Sequence, residues 1–185
     1  MGGFLYFGAL VLVVAFVFYM NHRMNQSKEI AFDEVPELVR DEVQRRVPNL
    51  EVDRVMRKRD SYKLLGHLEN IPLQFKVKLR GIGAGKHVYK VQIQLETRSS
   101  YRSLKGKHRI AEKDVPGIVM QRARQAAESY AGPIEKISRI KAATVQGRDA
   151  YDIRGWAGEW RVEVELLDDG AVLEVELDYR PEGPK

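Results

Sequence analysis

The chain has 185 residues and a formal net charge of +5, with 31 Lys and Arg against 26 Asp and Glu. It contains no cysteine, which excludes disulfide-stabilised folds and cysteine nucleophiles. Charged residues make up 31% of the chain, so most of it is polar enough to fold in water.

The first predicted element is a transmembrane helix that occupies residues 1–21. Residues 4–20 carry no charge, and at about 1.5 Å per residue this run with its margins reaches the roughly 30 Å of a bilayer core. The residues that define the span are Phe4, Leu5, Leu10, Val11, Leu12, Val13, Val14, Phe16, Val17, Phe18, Tyr19 and Met20. A cleaved signal peptide is the main alternative, but no positive charge precedes the run and no small-residue cleavage site follows it. The pattern therefore predicts a single-pass integral membrane protein.

Flanking charges predict the orientation of this span. Arg23 and Lys28 follow it, whereas no Lys or Arg precedes it. The positive-inside rule then places the rest of the chain in the cytoplasm.

The polar part of the chain contains one sequence pattern twice. Residues 22–32 form a linker, 33–98 a first unit, 99–113 a basic connector, 114–180 a second unit and 181–185 a tail. An apolar stripe with helical spacing opens each unit: Val35, Leu38, Val39, Val43 and Val47, then Val115, Ile118, Val119, Ala123 and Ala127. Each stripe begins with Val-Pro, and proline is tolerated in a first helical turn. We predict one amphipathic helix at the start of each unit.

Strands follow each predicted helix. The segments Asp53–Val55, Tyr62–Gly66, Phe75–Leu79 and Val91–Leu95 correspond in order to Ser138–Ile140, Tyr151–Gly155, Trp160–Val164 and Leu173–Leu177. The last two pairs alternate apolar and polar residues, which is typical of antiparallel strands with one buried face. Asp168-Asp169-Gly170 is a hairpin-turn signal. The predicted fold class is therefore α+β, with an N-terminal transmembrane helix followed by two tandem helix-plus-antiparallel-sheet units.

A Val-Pro helix start, a Tyr-x-(Leu/Ile)-x-Gly strand and the hairpin that contains Asp-Asp-Gly together resemble the PepSY-type domain. The likeness covers about residues 115–177 and extends more weakly to the first unit, whose hairpin lacks Asp-Gly. The resemblance implies a non-enzymatic module with one helix on an antiparallel sheet, linked to the inhibition or regulation of peptidases. It supplies no catalytic residues. It also implies an extracytoplasmic location, opposite to the one that the flanking charges predict.

Charge differs strongly between the two units. Residues 61–113 hold 12 Lys and Arg against 3 Asp and Glu, whereas residues 114–185 hold 10 against 14. We predict partner-binding residues among the outward strand charges and one tryptophan: Lys76, Lys78, Lys90, Trp156, Glu163, Glu165, Glu174 and Glu176. Two solvated faces are the ordinary interpretation of these charges, and the alternative is complementary faces that dock within or between chains. The basic stretch 98–113 could contact anionic lipid, and no nucleic-acid-binding motif accompanies it.

The sequence predicts no catalytic, cofactor or metal site. The glycine-rich segment 81–86 lacks the glycine and hydroxyl residue that a phosphate-binding loop needs at its ends. The four histidines are scattered, without metal-ligand spacing. We therefore predict a non-enzymatic binding or regulatory protein that contacts a protein or peptide. The alternative is a structural subunit that self-associates through complementary basic and acidic sheet faces.

Overall fold

The computed structural model describes residues 26–95 and 108–181. These residues form two α-helices, α1 (Glu37–Arg46) and α2 (Gly117–Tyr130), and ten strands. The strands are β1 (Lys28–Ile30), β2 (Glu51–Lys58), β3 (Ser61–Leu68), β4 (Ile71–Arg80), β5 (His87–Leu95), β6 (His108–Arg109), β7 (Lys136–Val145), β8 (Arg148–Ala157), β9 (Trp160–Leu167) and β10 (Val172–Tyr179). Single-turn 3-10 helices lie at Phe32–Glu34, Gly83–Gly85 and Glu112–Asp114.

All ten strands form one antiparallel sheet, in the order β1-β2-β3-β4-β5-β10-β9-β8-β7-β6. Strands β1–β5 make one half and β6–β10 the other, and each half runs in chain order from the sheet edge to its centre. β5 and β10 meet at the centre, where Ile93 lies opposite Val175. Because both halves repeat the same order of elements, a pseudo-two-fold axis passes between these two residues, perpendicular to the sheet.

The predicted fold class is wrong. The structure is mainly β-sheet, and the two predicted units are halves of one continuous sheet, an arrangement that the sequence had left open. One half of the sheet with its helix would bury only a small core, and it would leave β5 or β10 as a long unpaired edge strand. Pairing β5 with β10 enlarges the core and removes the exposed edges. Within residues 26–95 and 108–181, no helix is long and apolar enough to cross a bilayer, so the single-pass class has no support there. The predicted span at 4–20 lies outside the described residues.

Both helices cover the same face of the sheet. α1 contacts β5, while α2 contacts β8, β9 and β10. The helical stripes and the inward strand residues form one buried cluster, which includes Val39, Val43, Val119, Ala123, Phe75, Ile93, Val164 and Val175. Helical spacing thus predicted most of the buried stripe. Leu38 and Ile118 are exceptions, because they are 39% and 44% exposed.

The segments Tyr62–Gly66 and Tyr151–Gly155 each end in a glycine, and sterics explain why. A Cβ atom on Gly66 would lie 2.0 Å from the carbonyl oxygen of Glu51. A Cβ atom on Gly155 would lie 2.9 Å from a backbone oxygen of β7. Next to each glycine the neighbouring strand carries a β-bulge, one at residues 52–54 and one at 137–139. The repeated glycine therefore allows a close backbone approach beside a bulge.

The strand register corrects one predicted correspondence between the halves. The sequence pairs Phe75 with Trp160, but the register makes Phe75 equivalent to Val164. The corresponding residues Leu64 and Ile153 lie opposite Phe75 and Val164, respectively. Trp160 is instead the first residue of β9. Alternation has a period of two residues, so it does not distinguish registers that differ by four.

Candidate functional site

The face of the sheet opposite the helices, here called the open face, carries the charged residues of the central strands. Residues that lie opposite each other on neighbouring strands share a face, so the register traces rows of side chains across it. One row holds Lys63, Lys76, Gln92, Glu176 and Glu163, with one residue from each of β3, β4, β5, β10 and β9. The row passes from lysines in the first half to carboxylates in the second.

The structure places all eight predicted partner-binding residues on the open face. Seven of them fall into three environments: a central seam, a network of carboxylates and arginines, and a cluster of lysines. Trp156 lies apart from these, half-buried and in register with Lys136 and Arg161 near the far edge. The outward direction of the seven charged residues agrees with their alternation in the sequence, whereas the grouping of these residues follows only from the register.

Opposite charges meet at the central seam between β5 and β10. Lys90 Nζ lies 2.5 Å from Glu176 Oε1 and 3.7 Å from Asp178 Oδ1. Gln94 Nε2 donates a 2.8 Å hydrogen bond to Glu174. Complementary charges therefore dock here within one chain, and the seam residues are engaged with each other.

The second half pairs its buried carboxylates with arginines. Carboxylate oxygens of Asp152, Glu163 and Glu165 lie within 4.8 Å of one another, a spacing that could hold a cation. Arg154 Nε donates a 2.7 Å hydrogen bond to Glu163, and Arg139 Nη2 lies 3.5 Å from oxygens of both Glu163 and Asp152. Burial, followed by the charge of Asp152, raises the pKa of Glu163, and Arg154 opposes the shift. The two guanidinium groups supply the positive charge that a cation would otherwise bring.

The first half carries a cluster of lysines, here called the lysine cluster, made of Lys58, Lys63, Lys76 and Lys78. Lys63 lies directly opposite Lys76 on the neighbouring strand, and Lys78 lies opposite Lys90. Within the described residues, no carboxylate forms an ion pair with any of the four. Burial, followed by the charges of Lys78 and Lys63, lowers the pKa of Lys76. Like charges directly opposite each other destabilise a sheet, so this cluster costs stability.

Two residues of the lysine cluster occupy positions that carry carboxylates in the other half. By register, Lys63 is equivalent to Asp152 and Lys76 is equivalent to Glu165, whereas Lys58 and Lys78 are equivalent to Ala143 and Leu167. The two halves thus share a backbone plan, but the charge at two central positions of the open face is inverted. In the second half, Arg139 and Arg154 neutralise Asp152 and Glu163. Among the described residues, the lysine cluster has no such partners from the first half, and it is therefore the candidate site.

The sequence interpretation missed two residues of this site, Lys58 and Lys63. Lys63 alternates with Tyr62 and Leu64, so the pattern was sufficient to predict that its side chain faces outwards. The basic stretch 98–113 lies outside the described residues as far as residue 107.

No family model matches the sequence, and no curated protein matches it. The chain is similar to a solved crystal structure described as that of a "putative periplasmic" protein from Bacteroides eggerthii DSM 20697, with 11% identity and a TM-score of 0.30. The match covers 80% of this chain and 95% of that chain. A TM-score this low carries no argument about fold, location or function.

Proposed function

We propose that the protein is a non-enzymatic binding or regulatory module that holds a protein or peptide partner on the open face of its sheet. The lysine cluster carries the proposal, because within the described residues no carboxylate pairs with it. A negatively charged partner would relieve the repulsion between Lys63 and Lys76 and would be steered to this face. The PepSY resemblance of residues 115–177 supports the same class, since it implies a module that regulates peptidases.

The test is capture of partners by the full-length protein with two lysines reversed in charge. Lys76→Glu combined with Lys78→Glu changes the site while leaving Lys90 to hold the central seam. We expect the double variant to lose the crosslinked partners that the unchanged protein captures at low salt. Circular dichroism of the variant checks that the sheet is still formed.

The matched control reverses two lysines outside the cluster. Lys113 and Lys136 are exposed residues of the second half, so Lys113→Glu with Lys136→Glu gives the same change in net charge. We expect this control to capture partners as the unchanged protein does. Equal capture by both double variants would show that the lysine cluster is not the binding surface.

Self-association is the second candidate function. The inverted charges at equivalent positions favour it, because a second copy turned face to face could oppose lysines to carboxylates. Arg139 and Arg154 already lie against Glu163, which weakens that attraction. Sedimentation at low salt decides between the candidates: a monomer of 21.2 kDa contradicts self-association, and a dimer that dissociates in high salt supports it.

We further propose an extracytoplasmic location, which the PepSY resemblance implies. A reporter enzyme fused after Lys185 that is active only outside the cytoplasm tests this proposal. Activity of the fusion supports it. A silent fusion that is expressed at the same level contradicts it and favours a cytoplasmic location.

A further inference from the structure

The lysine cluster lines a depression of about 590 Å³ at one end of the first half of the sheet. Its cationic lining comes from β2, β3 and β4 and the turn between the first two strands. The other residues add hydroxyl groups and an apolar floor. The lining residues are Ser27, Met56, Lys58, Arg59, Asp60, Ser61, Lys63, Lys76, Lys78, Leu79 and Tyr89. This depression is here called the lysine pocket.

The single carboxylate of the lysine pocket is already engaged. Asp60 Oδ1 accepts a 2.7 Å hydrogen bond from Lys86 Nζ, which is an ion pair with a lysine outside the lining. The positive charges of Lys58, Lys63, Lys76 and Lys78 are therefore not balanced by any carboxylate that lines the pocket.

The register concentrates the charge in a small area. Lys63 and Lys76 lie directly opposite each other, and Ser61 lies opposite Lys78 in the next row. The row therefore offers two ammonium groups side by side, with a third ammonium group and a hydroxyl group one row away. Ammonium groups are compact point charges with several donor hydrogens and commonly bind phosphate, whereas the guanidinium fork of arginine matches carboxylates and phosphates alike.

We propose that the lysine pocket binds a phosphate group, either as free phosphate or as a phosphate monoester on a larger molecule. A phosphate monoester carries about −1.5 to −2 charges on three acceptor oxygens, which suits several converging lysines and a serine hydroxyl. An extended acidic peptide places carboxylates on one face about 7 Å apart, and so spreads its charge along a strand instead of concentrating it. The inference deepens the proposed function, because it names the group that the open face recognises.

The first experiment titrates the full-length protein with inorganic phosphate at pH 7.5 and constant ionic strength, with chloride as the competing anion. Heat of binding and amide NMR shifts report affinity and position. We expect saturable binding with shifts confined to residues 56–63 and 76–89. Lys63→Gln with Lys76→Gln should weaken binding at least tenfold, whereas Lys113→Gln with Lys136→Gln should change it less than twofold.

Two further arms distinguish the sources of the phosphate group. A short peptide with one phosphoserine tests a monoester on the proposed protein or peptide partner, and vesicles of phosphatidylcholine with phosphatidate test a lipid headgroup. Tighter binding than inorganic phosphate in either arm supports the proposal and identifies the source. Binding of inorganic phosphate alone supports the free anion.

Three results would overturn the inference: no saturation, shifts of equal size with chloride, or unchanged affinity in the Lys63 and Lys76 variant. Thermal unfolding of each variant without phosphate shows whether a lost affinity reflects a lost fold. The phosphate test and the capture test can fail independently. If the unchanged protein does not bind phosphate but the Lys76 and Lys78 variant loses its partners, the binding role stands and the phosphate site is rejected. If the unchanged protein binds phosphate but that variant still captures its partners, the phosphate site stands and the proposed partner surface is rejected.

Discussion

The guanidinium carbon of Arg46, at the end of α1, lies 4.7 Å from the ring centroid of Trp160, the first residue of β9. Arg46 also pairs with Glu42 at 3.0 Å and donates a hydrogen bond to the backbone oxygen of Tyr130, at the end of α2. Arg46 and Glu42 are both buried. Arg46 of the first half therefore caps the C-terminal end of α2 and covers Trp160, both in the second half. These contacts lie on the helix side of the sheet, opposite the Lys90 seam.

Replacement of Arg46 tests this link between the halves. Arg46→Met should lower the free energy of unfolding by about 1.5 to 3 kcal/mol, because it removes the buried partner of Glu42 and leaves that carboxylate to the exposed Arg45. Adding Glu42→Gln should recover at least about 1 kcal/mol, since the buried charge is then removed. Urea denaturation of the single and double variants measures both changes.

Arg45→Met is the matched control for that prediction. Arg45 pairs with the same Glu42, but its side chain is 59% exposed. Its loss should cost less than about 1 kcal/mol. Equal costs at positions 45 and 46 would contradict a special role for Arg46.

The repeated glycines predict an unequal response to alanine. Gly66→Ala drives a Cβ atom into a backbone oxygen of the bulged strand and should cost about 1 to 3 kcal/mol. Gly155→Ala should cost less, because its Cβ would lie 2.9 Å from the nearest backbone oxygen instead of 2.0 Å, and the closest atom, at 2.7 Å, belongs to the side chain of Ile134. Gly85→Ala meets open space and serves as the neutral control. Thermal melts of the three variants measure the order, and a Gly66 variant as stable as the control would contradict the steric explanation.

The carboxylate network predicts a pH dependence opposite to ordinary acid denaturation. The pKa of Glu163 is raised above its usual value by burial and by Asp152, so the folded state holds this proton more tightly than the unfolded chain. The contribution of Glu163 to stability should therefore fall as the pH rises through its unfolded pKa towards the folded value. Lowering the pH from 7 towards 4.5 should stabilise the unchanged protein relative to Glu163→Gln. Denaturation series at several pH values measure this difference, and an opposite slope would contradict the raised pKa.

The lysine cluster predicts a substitution that stabilises the protein. Lys76→Gln removes the repulsion from Lys63 and Lys78 and should raise the free energy of unfolding by about 0.2 to 1 kcal/mol at low salt. The gain should shrink in 1 M salt, where the screening length is only about 3 Å. Lys136→Gln, in the other half, controls for the general loss of a positive charge. A gain that is the same at both salt concentrations would show that repulsion is not its cause.

Local pattern was enough to predict much of the backbone. The spacing of Val39 and Val43 predicted the buried stripe of α1, because a helix repeats every 3.6 residues whatever lies beyond it. Val35 is buried as well, but it has an extended backbone and precedes the helix. Asp169 and Gly170 predicted the turn between β9 and β10, where Gly170 has a φ of 83°. Alternation predicted which strand residues face outwards, including Lys76 and Glu163, because side chains of a strand alternate between faces.

The partnership between distant strands was decided only by the tertiary structure. The sequences of β5 and β10 do not predict that Ile93 lies opposite Val175. Any two alternating strands can pair, and a shift of two residues keeps the apolar side chains on the same face. That single pairing merges the predicted units into one sheet and engages Lys90 with Glu176. The register of β3 with β4 places Lys63 opposite Lys76. The sequence by itself determined the helices, the turns and the outward charges, which depend on local spacing. Only the tertiary structure decided which charges meet, because register is set by packing across the whole sheet.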